Sequence, residues 1–380
     1  MDPTYAPLFE PYTLNNGVEI KNRLTVAPLT IYDQGPDGEI TEANRRFWKD
    51  RIRGFGLYIM PFTNVHPSAI GFESPQAISE SNLPALTEYA EIAHGQGVKA
   101  VVQLAHAGAH ANRAMTKGYD VIAPTGHVLD AFRTMTDAEV RELIHSFANA
   151  AELALRAGFD GVEIHGANGF LVQQFVSAAT NLRTDHWGGD LAKRMRFSLE
   201  IIDAIDAVRR EHDRPDFIIG YRFSPEEPGA RGLTMADTLN LVDALVDKPL
   251  QYLHVSLWDF YKRVRRGANQ ELTRMQVLHD RIAGRLPLIG VGNLYTADQI
   301  LEAYRTGWAE FIAVGKSVLL NPNLAELIET GRQDEIQTVF DWDRADEYRY
   351  TPAMLEGTRM GADFYPPSKQ YGVSYVTEKF

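Results

Sequence analysis

The chain has 380 residues, 44% of them hydrophobic and 23% charged, so it carries enough apolar material for a large core and does not belong to the disordered class. Its formal charge of −12 gives neither nucleic acids nor anionic membranes a general electrostatic reason to bind, so we expect no nucleic-acid partner. The absence of cysteine excludes disulfides, thiolate zinc sites, iron–sulfur clusters and cysteine nucleophiles.

The sequence shows no targeting or membrane-spanning segment. Its start, Met1-Asp2-Pro3-Thr4, lacks the basic and apolar regions of a signal peptide, and no apolar run reaches the roughly 18 residues that a membrane helix needs. We therefore expect a cytoplasmic protein with no membrane partner.

Eight short apolar runs alternate with helical patterns, which is typical of parallel strands joined by crossover helices. The predicted strands are Leu24–Ala27, Leu57–Phe62, Lys99–Leu104, Gly161–His165, Phe217–Tyr221, Tyr252–Ser256, Pro287–Val291 and Glu310–Val314. The predicted helices lie near 41–53, 80–95, 136–157, 190–211, 235–246, 271–283 and 296–307. Eight such units favour a closed (β/α)8 TIM barrel over an open sheet, because closure removes both edges of a parallel sheet.

The barrel is predicted to occupy residues 1–335. Residues 105–135, between the third strand and its helix, are too many for a simple loop, so we expect them to form a small cap over the barrel mouth. Residues 336–380 are richer in aromatic and charged side chains, and they predict a C-terminal extension packed on the barrel or on a partner subunit. Such an extension is compatible with a homo-oligomer, but the sequence leaves the oligomeric state open.

Barrel enzymes carry their chemistry at the carboxyl ends of the strands. His165 and Asn168 follow the fourth predicted strand, three residues apart. Two neutral hydrogen-bond donors at such a place can hold one oxygen atom, so the pair predicts a site that polarises a carbonyl or nitro group. A turn histidine satisfied by the backbone is the alternative.

A phosphate site is predicted after the last two strands. Gly292 follows the seventh strand, and Gly315 and Lys316 follow the eighth. Backbone N–H groups and a helix N-terminus at this place form the phosphate site of many barrels, which would make the ligand a phosphorylated cofactor. The alternative is that both glycines only serve turns.

Two further strand-end residues match the edge of a flavin ring. Gln103 offers an amide donor and acceptor, which suits a ring edge carrying adjacent N–H and C=O groups. Arg222 supplies a fixed positive charge that can stabilise an anionic reduced ring. For either residue alone, a structural hydrogen bond or ion pair is the commoner role.

Together these positions resemble the Old Yellow Enzyme family of FMN-dependent oxidoreductases. The matching segments are Ala27–Thr30, Gln103–Gly108, His165–Phe170, Asn181–Gly189 and the two glycine segments, spread in the family's order over about residues 7–330. The C-terminal tail shows no specific match.

The resemblance implies that FMN lies across the barrel mouth. The residues it assigns to FMN are Pro28 and Thr30 near O4 and N5, Gln103 and Arg222 at the pyrimidine edge, and Gly292, Gly315 and Lys316 at the phosphate. It further implies that NADH or NADPH supplies hydride, which passes to a small electron-poor acceptor held by His165 and Asn168. The acceptor would be an enone, a nitro compound or a quinone, and the sequence does not distinguish NADH from NADPH.

Three positions depart from the family's pattern. Phe170 stands where the family commonly has a proton-donating tyrosine, so Tyr32 or water would have to supply the proton. The alternative is a flavin-binding barrel protein with weak or no ene-reductase turnover. Thr30 replaces a redox-tuning cysteine of one branch, and Lys316 replaces the usual arginine.

Two other features of the sequence allow alternative interpretations of its function. His106 and His110 are four residues apart and suggest a metal-dependent hydrolase, although no carboxylates stand at matching strand ends. Lys262, Arg263, Arg265 and Arg266 form a basic cluster that is either a solvated loop or a surface that attracts anionic substrates.

Overall fold

The computed structural model describes residues 2–126 and 131–369. Its centre is a closed barrel of parallel strands in which each strand pairs with the next one along the chain and the last pairs with the first. The strands are β1 (Leu24–Val26), β2 (Leu57–Asn64), β3 (Lys99–Ala105), β4 (Gly161–Gly166), β5 (Ile218–Phe223), β6 (Tyr252–Val255), β7 (Leu288–Val291) and β8 (Phe311–Val314). The predicted (β/α)8 barrel is confirmed, and every predicted strand is present with each end within two residues of its predicted position.

Helices connect the strands and continue after the barrel. They are α1 (Glu42–Trp48), α2 (Leu83–His94), α3 (Asp137–Arg156), α4 (Leu171–Val176), α5 (Leu191–Glu211), α6 (Met235–Val246), α7 (Arg274–Ile282), α8 (Ala297–Arg305), α9 (Lys316–Leu320), α10 (Leu324–Glu329), α11 (Ala345–Tyr348) and α12 (Pro352–Arg359). The predicted helix 41–53 was too long, because the backbone becomes extended at Lys49 and left-handed at Asp50, with φ of 62°. No helix in the described part of the chain is long and apolar enough to cross a membrane.

A short hairpin closes the amino-terminal end of the barrel. Its strands, Tyr12–Thr13 and Glu19–Ile20, pair antiparallel. Leu14 and Ile20 pack with inward-facing barrel residues in one apolar cluster. The hairpin thereby fills this end with side chains, while the carboxyl end of the strands carries the cavity described below.

The insertion after β3 forms little regular structure. It contains a turn of 3-10 helix at Gly108–His110 and two short parallel strands, Ile122–Ala123 and Arg133–Thr134. The backbone N–H of Leu182 donates to Thr125 Oγ1 at 2.9 Å, which joins the insertion to the loop after α4. Residues 127–130 of the predicted cap lie outside the described residues.

The C-terminal extension packs on the barrel of its own chain through a buried guanidinium. Arg51 is fully buried and donates to the backbone oxygens of Phe47 at 2.8 Å, Val318 at 2.7 Å and Leu319 at 2.8 Å. Its remaining nitrogen donates to the backbone oxygen of Tyr348. One side chain thus joins α1, α9 and α11.

Two more contacts fix the extension to the rim of the barrel. The backbone N–H of Ala353 donates to the Asp33 carboxylate at 2.8 Å, so the loop after β1 holds the start of α12. Lys316 Nζ donates to the backbone oxygen of Asp363 at 2.7 Å. Residues 370–380 of the predicted extension lie outside the described residues.

Candidate active site

A cavity of about 570 Å³ opens at the carboxyl ends of the strands. All ten residues predicted for the site line it: Pro28, Thr30, Tyr32, Gln103, His165, Asn168, Arg222, Gly292, Gly315 and Lys316. They come from six strand ends that are far apart in the sequence. The structure therefore brings the whole predicted set together.

His165 is buried near the end of β4 and faces an aromatic wall. Its ring lies 5.7 Å from that of Phe62 and 5.2 Å from that of Phe170, centroid to centroid. Burial lowers the pKa of His165 well below its ordinary value, and the charges of Arg222 and His254 lower it further. The imidazole is therefore neutral at pH 7, and its buried Nδ1 has no hydrogen-bond partner among the described residues.

This lowered pKa makes folding stability depend on pH. Below about pH 6.5 this histidine is protonated in the unfolded chain but not in the folded protein. The free energy of unfolding therefore falls by about 1.4 kcal/mol for each unit by which the pH is lowered. His165→Asn removes this contribution, so urea unfolding between about pH 6.5 and 5 should show a shallower loss of stability in the variant. Equal pH slopes for the two proteins would contradict the neutral, buried imidazole.

Asn168 is held in one amide orientation. Its backbone is left-handed, with φ of 59°, a conformation that asparagine tolerates better than most residues. Its N–H donates to Ser224 Oγ at 2.9 Å, and its Oδ1 accepts from Ser256 Oγ at 2.7 Å. Because the amide oxygen is occupied, the NH2 group is the part left to act on a ligand in the cavity.

Ser256→Ala tests this orientation. Without the hydroxyl the amide can flip, and the loss of one hydrogen bond of about 1 kcal/mol should weaken binding of a phenol roughly fivefold. Spectroscopic titration of the flavin-loaded protein with a phenol measures the affinity. Ser224→Ala is the matched control, since Ser224 holds only the backbone of Asn168. An unchanged phenol affinity in Ser256→Ala would show that Ser256 does not orient the amide.

A buried hydrogen-bonded chain lies beneath the cavity. Gln103 Nε2 donates to Glu163 Oε1 at 2.7 Å, and Glu163 Oε2 lies 2.9 Å from His254 Nδ1. Burial alone would raise the pKa of Glu163, but the charges of His254 and Arg222 and the hydrogen bonds with His254 and Gln103 together outweigh it, and the net pKa is lowered. Glu163 is therefore ionised and takes the amide donor of Gln103. The Gln103 oxygen is left as an acceptor.

The residues of the cavity fit a flavin. The Gln103 oxygen can accept from a ring N–H, and the buried Nε of Arg222 has no partner among the described residues. A Cβ at Gly292 would lie 2.5 Å from the backbone nitrogen of Phe260, and φ there is 142°, so only glycine is accommodated. An unpaired donor beside an oriented acceptor is the arrangement that a pyrimidine edge requires.

Lys316 makes contacts with other parts of the protein that the sequence did not predict. Besides its bond to Asp363, its Nζ lies 5.0 Å from the centre of the Trp258 ring. Burial lowers the pKa of Lys316. Gly315, just before it, caps α9 with its backbone. The lysine thus connects the predicted phosphate segment to the C-terminal extension.

Several residues of the site were not predicted. They are Glu163 and His254 in the buried chain, Ser256 beside Asn168, and Trp258, Phe364 and Tyr365 in the cavity lining. Glu163 did carry a signal, since a carboxylate flanked by Val162 and Ile164 in an apolar strand needs a buried partner. Tyr365 carried none, because no periodicity relates the extension to the strand ends.

The two histidines that suggested a metal site, His106 and His110, have different surroundings. His106 accepts from the N–H of Gly108 at 2.9 Å and lies 3.0 Å from Ser68 Oγ, whereas His110 lines the cavity, so the two histidines do not converge. Residues 2–126 and 131–369 hold no group of three or more metal-ligating His, Asp or Glu side chains.

The basic cluster is partly used in packing. Arg266 donates to the backbone oxygen of Gly232 at 2.5 Å, and Arg263 lies 3.2 Å from Glu271. The backbone N–H groups of Arg265 and Arg266 both donate to the buried carboxylate of Glu226.

A closed (β/α)8 barrel with a cavity at its strand ends whose residues fit a flavin is the architecture of a flavin-dependent oxidoreductase. The model of the NADH:flavin oxidoreductase / NADH oxidase family matches residues 7–335. The chain belongs to this family, and the resemblance to the Old Yellow Enzymes is confirmed. It is an NAD(P)H-dependent oxidoreductase with FMN as its cofactor.

Three relatives show how far the similarity extends. The chain is 42% identical over 356 residues to the probable NADH-dependent flavin oxidoreductase YqiG of Bacillus subtilis (strain 168), covering 92% of this chain and 94% of that protein. It is 33% identical over 334 residues to the NADH:acrylate oxidoreductase of Vibrio harveyi, covering 84% of this chain but only 33% of that protein. The old yellow enzyme homologue from Zymomonas mobilis has the same fold, with a TM-score of 0.74, 24% identity and coverage of 90% and 96%.

Proposed function

We propose that the protein transfers hydride from NADH or NADPH, through FMN, to an electron-poor acceptor whose oxygen is held by His165 and Asn168. The observation that carries this proposal is the pair of neutral donors on one side of the cavity. The neutral His165 side chain lines the cavity, and the Asn168 amide is turned by Ser256 so that its NH2 is available. Donors fixed in this way stabilise negative charge as it develops on an oxygen.

Residues from several strand ends around the barrel mouth would hold the cofactor. We assign Gln103 and Arg222 to its pyrimidine edge, Pro28 and Thr30 to its central ring, and Gly292, Gly315 and Lys316 to its phosphate. When bound, FMN supplies a carrier that accepts hydride from the nicotinamide and releases it to the acceptor. The protein positions both substrates and excludes water from the aromatic side of the cavity.

The cavity favours an uncharged, flat acceptor. Phe62 and Phe170 form one apolar cluster with Phe72, and Tyr32 and Phe364 extend this wall. Among the described lining residues the cations are Arg222 and Lys316, which are assigned to the cofactor. An enone, a nitroaromatic or a quinone therefore fits better than a small carboxylate such as the acrylate named for the Vibrio harveyi relative.

Reconstitution with FMN followed by anaerobic rapid mixing tests the proposal. NADH or NADPH should bleach the visible flavin absorbance, and an enone, a nitroaromatic or a quinone should restore it faster than acrylate does. A protein that retains no FMN, or whose flavin neither nicotinamide reduces, would overturn the proposed function. Faster reoxidation by acrylate would overturn the proposed acceptor class.

The second candidate function is a flavin-binding barrel with weak or no ene-reductase turnover, and Phe170 favours it. The Phe170 ring packs 4.9 Å from that of Phe62 and has no hydroxyl to donate. The first function instead needs another proton source, and we assign Tyr32 to this role, since burial raises its pKa and keeps the phenol protonated. Retained FMN that NADH and NADPH both fail to bleach would support this second function.

A further inference from the structure

The buried hydrogen-bonded chain beneath the cavity belongs to a cluster of four polar side chains on consecutive strands. Gln103 lies on β3, Glu163 on β4, Arg222 on β5 and His254 on β6. Gln103 and Glu163 are direct partners in the register of their strands, as are Arg222 and His254. Glu163 and His254 are 0% exposed, whereas Gln103 and Arg222 line the cavity. A fully buried carboxylate therefore lies next to residues assigned to the pyrimidine edge of the flavin.

The charges within this polar cluster cancel at pH 7. Arg222 carries a positive charge, because a guanidinium stays protonated in proteins. The charges and hydrogen bonds around Glu163 outweigh its burial, lower its pKa and keep it ionised. Burial lowers the pKa of His165 and His254 and raises that of Tyr252, so these three neighbours are neutral. Without the carboxylate, the cluster would carry the uncompensated positive charge of Arg222.

We infer that Glu163 is a positioning residue of the cofactor site, which orients Gln103 and whose charge keeps the bound flavin harder to reduce than Arg222 alone would make it. The inference goes beyond the transfer reaction proposed above, and it rests on the proposed placement of the ring beside Gln103 and Arg222. A neutral ring that accepts a hydride becomes an anion. A nearby cation therefore favours the reduced form, and a nearby anion opposes it.

The contacts of Glu163 connect its charge to both residues of the pyrimidine edge. Gln103 Nε2 donates to Glu163 Oε1 at 2.7 Å, so the carboxylate lies one side chain away from the cavity. Burial lowers the pKa of Arg222, and the charge of Glu163 opposes that effect. The two charges thus act on each other across neighbouring strands. Electrostatic interactions are stronger in such a buried region than in water.

Packing alone does not require a charge at this position. Neutral side chains of similar volume often replace a buried ion pair without loss of stability. A glutamine has nearly the shape of Glu163, and its oxygen can accept from Gln103 in the same way. A purely structural carboxylate would therefore affect the stability of the fold and leave the reduction potential of bound FMN unchanged.

Glu163→Gln tests the inference, since it keeps the shape of the side chain and removes its charge. In the FMN-loaded protein, the equilibrium constant for reduction against a reference dye should rise on the order of tenfold, which is about 30 mV for a two-electron couple. His254→Gln is the matched control, because it replaces the neutral partner of Glu163 and retains the carboxylate. Its equilibrium constant should stay within twofold of that of the wild type.

Arg222→Gln should shift the equilibrium in the opposite direction, and the double variant Glu163→Gln with Arg222→Gln should return towards the wild type. If Glu163→Gln does not fold, Glu163→Met with His254→Leu removes the carboxylate together with its partner and should give the same rise. Separate titrations with oxidised and reduced FMN provide a second measurement, in which the ratio of the two dissociation constants should change by the same factor.

An equilibrium constant in Glu163→Gln within twofold of the wild type overturns the inference, and so does an equal rise in His254→Gln. A lower equilibrium constant in Glu163→Gln overturns it as well. A wild-type protein that retains no FMN overturns the proposed function together with this inference. An unchanged potential in FMN-loaded Glu163→Gln overturns this inference alone, so the two failures are distinguishable.

Discussion

His165→Ala is expected to lower the rate at which an enone reoxidises the reduced protein by about 10²- to 10³-fold. The imidazole is neutral, buried and fixed between Phe62 and Phe170, so in the wild type it can donate a hydrogen bond without reorganising. Its donation strengthens as negative charge develops on the acceptor oxygen, and alanine leaves that charge to Asn168 alone. Asn168→Ala should have a similar effect, and the double variant should be slower than either.

The measurement must separate acceptor binding from cofactor binding. Chemical reduction of the flavin before mixing avoids any effect of the substitution on the nicotinamide, and FMN content and phenol affinity are measured on the same samples. His110→Ala is the matched control, since this exposed histidine lines the same cavity. Loss of phenol binding with full FMN content in His165→Ala supports the assignment. Wild-type enone rates in that variant would remove His165 from the acceptor site.

Arg51→Met is expected to lower the free energy of unfolding by about 3 kcal/mol. Burial lowers the pKa of Arg51 to about 9, so the guanidinium is still charged at pH 7. Methionine fills much of the space but leaves the backbone oxygens of Phe47, Val318, Leu319 and Tyr348 without their donor. Because two of these oxygens belong to α9 and one to α11, the extension should loosen and FMN affinity should fall with stability.

Urea unfolding followed by tryptophan fluorescence measures this loss. Arg53→Met is the matched control, because Arg53 is 63% exposed and pairs with Asp50 at 2.7 Å on the surface. Exposed ion pairs contribute about 1 kcal/mol or less. If Arg51→Met and Arg53→Met lose similar stability, the buried guanidinium does not hold the extension.

The barrel could be predicted because its strands are short, apolar and separated by regular helices. Such runs are buried on both faces, so the local sequence alone identifies Ile59 and Val101 as core residues, whatever packs against them in the fold. The strand-end residues followed from that fold, since parallel strands bring their carboxyl ends to one rim. His165 and Arg222, for example, are direct partners in the register of β4 and β5.

The remaining parts of the site depend on contacts that no local pattern encodes. Tyr365 reaches the cavity only because Arg51, Asp33 and Lys316 hold the extension at three places. The orientation of Asn168 depends on Ser256, which is 88 residues away in the sequence. Helix α1 was predicted to be too long. The structure ends the helix at Trp48, and the following turn directs the Arg51 side chain into the interior, where it is fully buried.

The family model ends at residue 335, yet Phe364 and Tyr365 of the C-terminal extension line the cavity. We therefore expect that changes in the extension can alter which acceptors the enzyme takes while the barrel residues assigned to the cofactor stay the same. Chimeras that exchange this stretch between relatives would show whether substrate preference is inherited with the tail.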